Sequence, residues 1–267
     1  MKKSLIHLML GSLMVLLISG QARAQAADAD IEKLIDQKLE QYFNSEAFDK
    51  RVETSIIRFI EKQNQARAEQ ARQQREAQVA NLPPVDPESD YVRGATDATF
   101  TLVEYSDYEC PYCKRFHETA KTFVENNPDV NWIYRHFPLN FHNPGAQKQA
   151  EAAECAGSLG GSEAFWRYSD LIFERTRSNG KGFPIANLGP LAEEIGLNRV
   201  AFDSCMKEER FRDKVLAQTE DGKVSGVTGT PGNFLLHNAS GEAVAISGAQ
   251  PLANLERILQ QMKDALK

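Results

Sequence analysis

The chain has 267 residues, of which 25% are charged, and its formal net charge is −6. That length can hold one sizeable globular domain together with an additional segment. The acidic balance and the absence of a basic cluster argue against nucleic acid as a partner. Phosphate chemistry is not indicated either, because the sequence has no Gly-rich phosphate loop.

The first 24 residues have the pattern of a signal peptide. Met1-Lys2-Lys3 is a short basic start, and the apolar run over residues 5–18 is short for a membrane span. Ala22-Arg23-Ala24 then matches a small-x-small cleavage site. We predict an exported protein whose mature chain begins near Gln25, with a retained amphiphilic anchor as the alternative.

Residues 25–80 are predicted to form a helical stalk. Apolar side chains recur at helical spacing between residues 31 and 60. The pattern breaks around Asn44 and Ser45, so we expect two helices, the second capped by one of these residues.

Beyond Lys62 the apolar face fades into a run of strong helix formers, which predicts a solvated helix or a flexible strut. Such a strut would separate the apolar helices from the rest of the chain. We therefore expect residues 28–63 to associate as a homo-oligomer, either a dimer or a trimer. Folding back onto the globular domain is the alternative.

A Pro-rich linker is predicted over residues 81–90, because three prolines in five residues cannot continue a helix. The globular domain follows over residues 91–267 and has α/β character. Its predicted elements are strands at 100–106 and 130–137, a helix at 111–126, a block of helices over about 144–221, strands at 233–236 and 243–247, and a final helix at 252–266.

Cys110-Pro111-Tyr112-Cys113 comes directly after the first predicted strand of this domain. A strand that delivers Cys-x-x-Cys to the first turn of a helix places the first sulfur at the helix N-terminus, where the dipole and free amides favour the thiolate. Cys110 is therefore the expected nucleophile, and Cys113 resolves its mixed disulfide. Pro111 suits the first helical turn, and Tyr112 is expected to tune the thiolate.

Two further cysteines and one carboxyl complete the candidate chemistry. Cys155 and Cys205 can close a structural disulfide across a long loop, or they are two buried free thiols. A zinc site is disfavoured, because a second ligand pair is not close by. Glu104 lies six residues before Cys110 in an apolar strand, where partial burial would raise its pKa and suit it to proton transfer. A solvent-facing strand residue is the alternative.

The segment Glu104 to Cys113, the helical block and Gly229-Thr230-Pro231-Gly232 together resemble the DsbA family of exported thiol oxidoreductases. The resemblance covers about residues 91–267 and implies a thioredoxin-like fold with a helical insertion, preceded by the all-α stalk. It also implies a cis Thr230–Pro231 bond beside the active site that docks substrate. An acidic residue at the position of Glu104 fits the family as well.

The combination of this domain with a stalk resembles ScsC-type proteins, which are associated with copper tolerance. It predicts a periplasmic disulfide isomerase or reductase, because clustered active sites raise the effective concentration around a misfolded substrate. Expected partners are cysteine-containing exported proteins and a membrane redox partner that resets the active site; no cofactor or metal is expected. The alternatives are a DsbA-like dithiol oxidase, a copper-binding envelope chaperone, and an envelope scaffold with a vestigial redox site.

Overall fold

The computed structural model describes residue 28 and residues 30–266, so the predicted signal peptide over 1–24 lies outside the described residues. The chain divides into two compact units, one ending at Ala71 and the other starting at Arg72. Within the described part, none of the helices combines the length and the apolar character needed to cross a membrane.

The first unit consists of helix α1, over residues 30–43, and most of helix α2, Glu46–Ala80. Ser45 caps α2: its Oγ accepts the backbone N–H of Phe48 at 3.2 Å and donates to the Tyr42 carbonyl at 2.6 Å. The cap predicted from Asn44 or Ser45 is therefore Ser45. The segment beyond Lys62, predicted as a solvated helix or a flexible strut, is helical: α2 is one helix of 35 residues, since the run of Ala, Gln, Glu and Arg favours a helix without an apolar face.

Large apolar side chains of this unit lie on its surface. Among the residues that the structure describes, eleven of these side chains are more than 40% exposed, a density that a solvated helix surface does not ordinarily carry. They are Ile31, Leu34, Ile35, Leu39, Tyr42, Phe43, Val52, Ile56, Ile57, Phe59 and Ile60.

The second unit is built on a five-stranded sheet in the order β1-β3-β2-β4-β5. The strands are β1 Val92–Arg93, β2 Phe100–Ser106, β3 Val130–His136, β4 Gly232–His237 and β5 Ala243–Ser247. β2 is parallel to β3, and the other pairs are antiparallel. Helix α3, Pro111–Asn126, connects the two parallel strands, as a crossover must.

Helices α4 Gly145–Arg175, α5 Leu188–Glu194, α6 Arg199–Lys207 and α7 Arg212–Val224 form the insertion, and α8 Leu252–Ala265 closes the domain. Two turns of 3₁₀ helix, Asn140–His142 and Ile185–Asn187, flank the insertion's first long helix. α4 bends at Gly160 and Gly161, where Gly161 adopts φ 70°, a conformation that favours glycine. A disulfide joins Cys155 on α4 to Cys205 on α6, so these two cysteines are not free thiols.

β2 is buried on both faces along its whole length. Because side chains alternate along a strand, Leu102 and Glu104 point to one face, and Val103 and Tyr105 to the other. Leu102 belongs to the larger apolar cluster, which includes side chains of α3, α4 and α8. Val103 and Tyr105 belong to a second cluster, against which Val79, Leu82 and Val85 pack.

The Pro-rich segment over residues 81–90 is held against this second face. The Arg135 guanidinium forms an ion pair with Asp90 at 2.9 Å and donates to the carbonyls of Pro83 and Pro84 at 3.0 and 2.8 Å. Arg135 and Asp90 are both buried, so the pair anchors the segment in a dry environment. The segment predicted as a linker is therefore part of the covering of the sheet.

Candidate active site

The two cysteines of the Cys-x-x-Cys motif lie where β2 passes into α3. Cys110 is the N-cap of α3, with extended backbone (φ −81°, ψ 122°), and Pro111 occupies the first turn, where its missing N–H costs nothing. Both cysteines carry unbonded thiols. Cys110 is 4% exposed and Cys113 is fully buried, so the first sulfur is less accessible than the sequence suggests but remains the one nearer solvent.

The surroundings of Cys110 stabilise its thiolate. The pKa of Cys110 falls to about 6, first because Cys113 donates a hydrogen bond to the sulfur and then because of the Thr230 hydroxyl and the backbone amides of Cys113 and Tyr112, while burial opposes the shift. Backbone amides at a helix start are the donors expected to hold an anion. At neutral pH, Cys110 is therefore mostly ionised and nucleophilic.

Cys113 has the opposite environment. Burial raises its pKa well above the usual value, and the neighbouring Cys110 and the charge of Glu104 raise it further. A buried thiol of this kind stays protonated while Cys110 is a thiolate. The two sulfurs thus have opposite environments, one that favours the thiolate and one that favours the thiol.

The Thr230–Pro231 peptide bond is cis and lies against Cys110. The Thr230 carbonyl accepts the Cys110 thiol at 3.4 Å, and the Pro231 carbonyl accepts the Gly248 N–H at 3.0 Å. The loop borders a cavity of about 470 Å³ formed by residues 225–234 and 245–248. The proline expected from the family resemblance thus lies in the loop that contacts the Cys110 sulfur.

Glu104 is fully buried on the face of the sheet that α3 covers. Its Oε2 accepts the indole N–H of Trp132 at 3.1 Å. Burial raises the pKa of Glu104 to about 8, although the neighbouring Ser106 hydroxyl and the hydrogen bond from Trp132 act in the opposite direction. The side chain therefore faces the cysteines and not solvent, and it is a carboxyl able to hold or release a proton near neutral pH.

Tyr112 lies outside this buried group. It is 56% exposed, and the Arg115 guanidinium lies 5.1 Å from the centroid of its ring. The phenol therefore presents a surface beside Cys110 that a substrate chain could contact.

A thioredoxin family model matches residues 86–252. Among solved structures, DsbA2 of Pseudomonas aeruginosa is 31% identical, with a TM-score of 0.59; the alignment covers 97% of that chain and 67% of this one. This chain belongs to the DsbA-like thiol:disulfide oxidoreductases of the thioredoxin family. The fold and family that the motifs predict are thereby confirmed.

Two further relatives bear on the rest of the chain. BcfH of Salmonella enterica Typhimurium is 16% identical with a TM-score of 0.63, and its alignment covers 98% of that chain and 89% of this one. The likeness of fold thus extends beyond the part shared with DsbA2. The Na(+)/H(+) antiporter NhaA 1 of Salinispora arenicola is 35% identical over 169 residues. The chain spans about a quarter of the length of this relative.

Two acidic residues of the DsbA-like motif have structural partners that the sequence reasoning missed. The first is Asp107, whose carboxylate accepts the backbone N–H groups of Glu109 at 2.7 Å and Leu139 at 2.9 Å. It also pairs with Nδ1 of His142 at 2.7 Å. Asp107 therefore fixes the turn before Cys110 and ties it to the segment that follows β3.

The second is Glu109, directly before Cys110. Its buried carboxylate accepts the N–H groups of Gly180 at 3.0 Å and Gly182 at 2.9 Å, and the side-chain amide of Gln149. A Cβ at position 182 would lie 1.8 Å from this carboxylate, so a larger residue there would displace the carboxylate from its partners. Glu109 therefore holds the loop after α4 beside Cys110. The sequence signal that could have predicted these partners is the position of an acidic residue directly before an expected thiolate, where its charge is unfavourable unless other groups stabilise it.

The three histidines near the motif are engaged with carboxylates and not with the cysteines. Within the described residues, no group of three or more His, Cys, Asp or Glu side chains is placed to hold a metal ion. The pairs are His117 with Asp170, His136 with Glu154 and His142 with Asp107, at 2.6, 3.1 and 2.7 Å.

Proposed function

We propose that this protein is a periplasmic thiol–disulfide oxidoreductase that exchanges disulfides with cysteine-containing exported proteins through Cys110 and Cys113. The observation that carries the proposal is the contrast between the two sulfurs. Cys110 has a pKa of about 6 at the helix start, and burial keeps Cys113 protonated beneath it. Thiol–disulfide exchange needs a ready nucleophile and a second thiol within reach to resolve the mixed disulfide.

In the reducing direction, the Cys110 thiolate attacks one sulfur of a substrate disulfide, and the other substrate sulfur leaves as a thiolate. Cys113 then loses its proton and attacks Cys110, which releases the second substrate thiolate. The substrate has gained two electrons, and Cys110–Cys113 has become a disulfide. Run backwards, the same steps oxidise a substrate dithiol, and a membrane redox partner would reset the pair in either case.

Isomerisation uses the mixed disulfide differently. The liberated substrate thiolate attacks a second substrate disulfide, and the thiolate formed there displaces Cys110, so no electrons are exchanged overall. The substrate backbone would dock beside the cis Thr230–Pro231 bond, as family resemblance implies. The Thr230 carbonyl already lies 3.4 Å from the Cys110 sulfur, which supports this placement.

The exposed apolar side chains of the first unit favour a homo-oligomer assembled through residues 28–63. Eleven large apolar groups left in water would oppose solubility, and a second or third copy can cover them. Several catalytic units on one stalk would raise the effective concentration of active sites around a bound substrate. That arrangement suits an isomerase or reductase, with a DsbA-like oxidase as the alternative.

The test uses the full mature chain and scrambled, fully oxidised ribonuclease. A variant with Ile56→Asp and Phe59→Asp places charges in the apolar surface of α2, and Thr54→Asp adds a charge at an exposed polar position as the control. We expect light scattering to show an oligomer for the wild type and the control and a monomer for the double variant. Only the oligomers should reactivate scrambled ribonuclease.

Two results would correct the proposal. If the monomeric variant reactivates scrambled ribonuclease as fast as the wild type, the stalk is not what makes the protein an isomerase. If none of the proteins reactivates it while all oxidise reduced ribonuclease, the protein is an oxidase.

A further inference from the structure

β5 is the last strand of the sheet, and within the described residues no strand pairs with its outer edge. Glu242 and Gly248, which flank β5, each share a backbone hydrogen bond with the residue opposite, at 2.8 and 3.0 Å. Hydrogen-bonded pairs alternate along an antiparallel ladder. The backbone N–H and C=O groups of Ala243 and Ala245 therefore point away from β4, towards the free edge.

This edge is the floor of a cleft of about 610 Å³ that lies entirely within the second unit. One wall of the cleft is α8, with Ile258, Met262 and Ala265. The other wall is the end of α2, with Val79 and Ala80. Three charged side chains also border the cleft: Arg72, Glu76 and Glu242. Both walls are thus mainly apolar, and a strand edge lies between them.

The free edge of β5 has none of the features that usually prevent a strand edge from pairing with another chain. Such edges are ordinarily protected by charged side chains, prolines or a covering element. The sequence of β5, Ala-Val-Ala-Ile-Ser, includes neither a charge nor a proline. A strand edge between two apolar walls suits one added extended chain, which would pair through its backbone and direct alternate side chains to the two walls.

The cleft continues towards the redox site along the same strand. Ala245 borders both this cleft and the cavity of about 470 Å³ beside the cis Thr230–Pro231 bond. Between positions 243 and 247 the edge is about 13 Å long, at about 3.3 Å per residue. A polypeptide that has one residue at the cis-proline loop can therefore reach the cleft with a segment only a few residues away.

We propose that the free edge of β5 binds an extended apolar segment of the substrate protein whose cysteine reacts with Cys110. This inference rests on the proposed thiol–disulfide exchange and assigns it a substrate class. Because both walls are apolar, the segment carries apolar side chains on both of its faces, as a buried core strand does. A folded protein keeps such a segment inside, so the edge selects exported proteins that are unfolded or misfolded.

The test measures how fast the reduced full chain attacks synthetic peptides whose single cysteine is joined to thionitrobenzoate. The Cys110 thiolate attacks the peptide sulfur, the old S–S bond breaks, and thionitrobenzoate leaves as a coloured thiolate. The short peptide has only polar residues around its cysteine. The long peptide adds a Gly-Ser spacer, a tail of about six Val and Ile residues and terminal lysines for solubility, with the tail placed before or after the cysteine.

For the wild type we expect one of the long peptides to react roughly tenfold faster than the short peptide, because several hydrogen bonds to β5 hold its tail. Replacing every tail N–H by N–CH₃ keeps the apolar side chains and removes the donors. The N-methylated peptide should therefore react at the rate of the short one.

Two variants change the edge and the wall separately. Ala243→Pro removes an N–H that faces the free edge and leaves the ladder with β4 intact. Ala265→Glu adds a charge at an exposed position of the α8 wall. Each should bring the ratio of long-peptide to short-peptide rates close to one. Ala243→Ser keeps the N–H, and Gln260→Glu adds the same charge to α8 outside the cleft, so both should keep the wild-type ratio.

Hydrogen exchange followed by mass spectrometry gives a second measurement that needs no change in β5. The long and short peptides are each trapped as mixed disulfides on full-length Cys113→Ala protein. The backbone amides of residues 242–247 should exchange more slowly in the long-peptide adduct than in the short-peptide adduct.

Each contrary outcome has a distinct meaning. Equal rates for all peptides with unchanged exchange at 242–247 would refute the binding site while the exchange chemistry stands. A full rate advantage for the N-methylated peptide would refute pairing with the strand edge. Protection of 242–247 without peptide that grows with protein concentration would assign the edge to a second copy of the chain instead. If even the short peptide releases no thionitrobenzoate, Cys110 does not attack disulfides, and the proposed function itself fails.

Discussion

Glu104→Gln replaces a buried acid by an amide of nearly the same size that can still accept the Trp132 hydrogen bond. In the folded protein burial raises the pKa of Glu104 from 4.5 to about 8. The folded state therefore holds this proton more tightly than the unfolded chain does. The carboxyl costs no stability below about pH 4.5, and its cost grows as the pH rises towards 8.

At about 1.4 kcal/mol per pH unit, the full cost reaches roughly 5 kcal/mol above pH 8. Relaxation around the charged form lowers this value, so we expect Glu104→Gln to stabilise the domain by about 3 to 5 kcal/mol at pH 8.5. At pH 4 the two proteins should be nearly equal. The dependence of the difference on pH identifies the buried carboxyl.

The assay is urea unfolding of the full chain between pH 4 and pH 9, followed by tryptophan fluorescence. Both tryptophans lie in the second unit, so the signal reports that unit. A background with Cys110→Ser and Cys113→Ser removes the titrating thiols and keeps the burial of Glu104. Glu118→Gln, at an exposed position on α3, controls for the lost charge. A stability difference that stays constant from pH 4 to pH 9 would refute the reasoning.

Three further predictions concern the Cys110 thiolate, the Cys155–Cys205 disulfide and the Glu109 carboxylate. Absorbance of the Cys110 thiolate at 240 nm should fall as the pH drops through about 6, and a midpoint near 9 would contradict the thiolate stabilisation. Replacing Cys155 and Cys205 by alanine should cost about 4 kcal/mol in urea unfolding, and a loss below about 1 kcal/mol would contradict the loop-entropy argument. Glu109→Ala should speed tryptic cleavage within residues 176–182, whereas cleavage at the wild-type rate would mean that the carboxylate does not hold this loop.

Local patterns predicted much of the fold. The strand Phe100–Ser106 and the helix Pro111–Asn126 have the predicted bounds, because the apolar run of the strand and the Cys-Pro start of the helix are both local sequence patterns. The strand Ala243–Ser247 also matches. The block of helices over about 144–221 was predicted too, and within Gly145–Arg175 the backbone leaves the helical conformation at Gly160 and Gly161, two residues of low helix propensity.

Features that depend on distant parts of the chain were harder to predict. The burial of Glu104 was left open because it depends on α3 covering its face of the sheet. The alternation of side chains along a strand does not show which face is exposed to solvent. The Pro-rich segment was predicted as a linker because the residue that anchors it, Arg135, lies on β3 and not within the segment. From the sequence alone, the charge of Glu109 is unfavourable beside Cys110. In the structure, the N–H groups of Gly180 and Gly182 stabilise that charge.

The most direct test of the division of labour between the two sulfurs is trapping of the mixed disulfide. Full-length Cys113→Ala protein is mixed with an excess of two peptide chains joined by one disulfide, the small peptides are removed, and the products are mapped by mass spectrometry. We expect an adduct through Cys110, because its thiolate attacks, the second peptide leaves as a thiolate, and the protein has no second active-site thiol to resolve the mixed disulfide. The reciprocal Cys110→Ala protein should form none. An adduct on Cys113 in the reciprocal variant, or no adduct on Cys110, would contradict the assignment of Cys110 as the nucleophile.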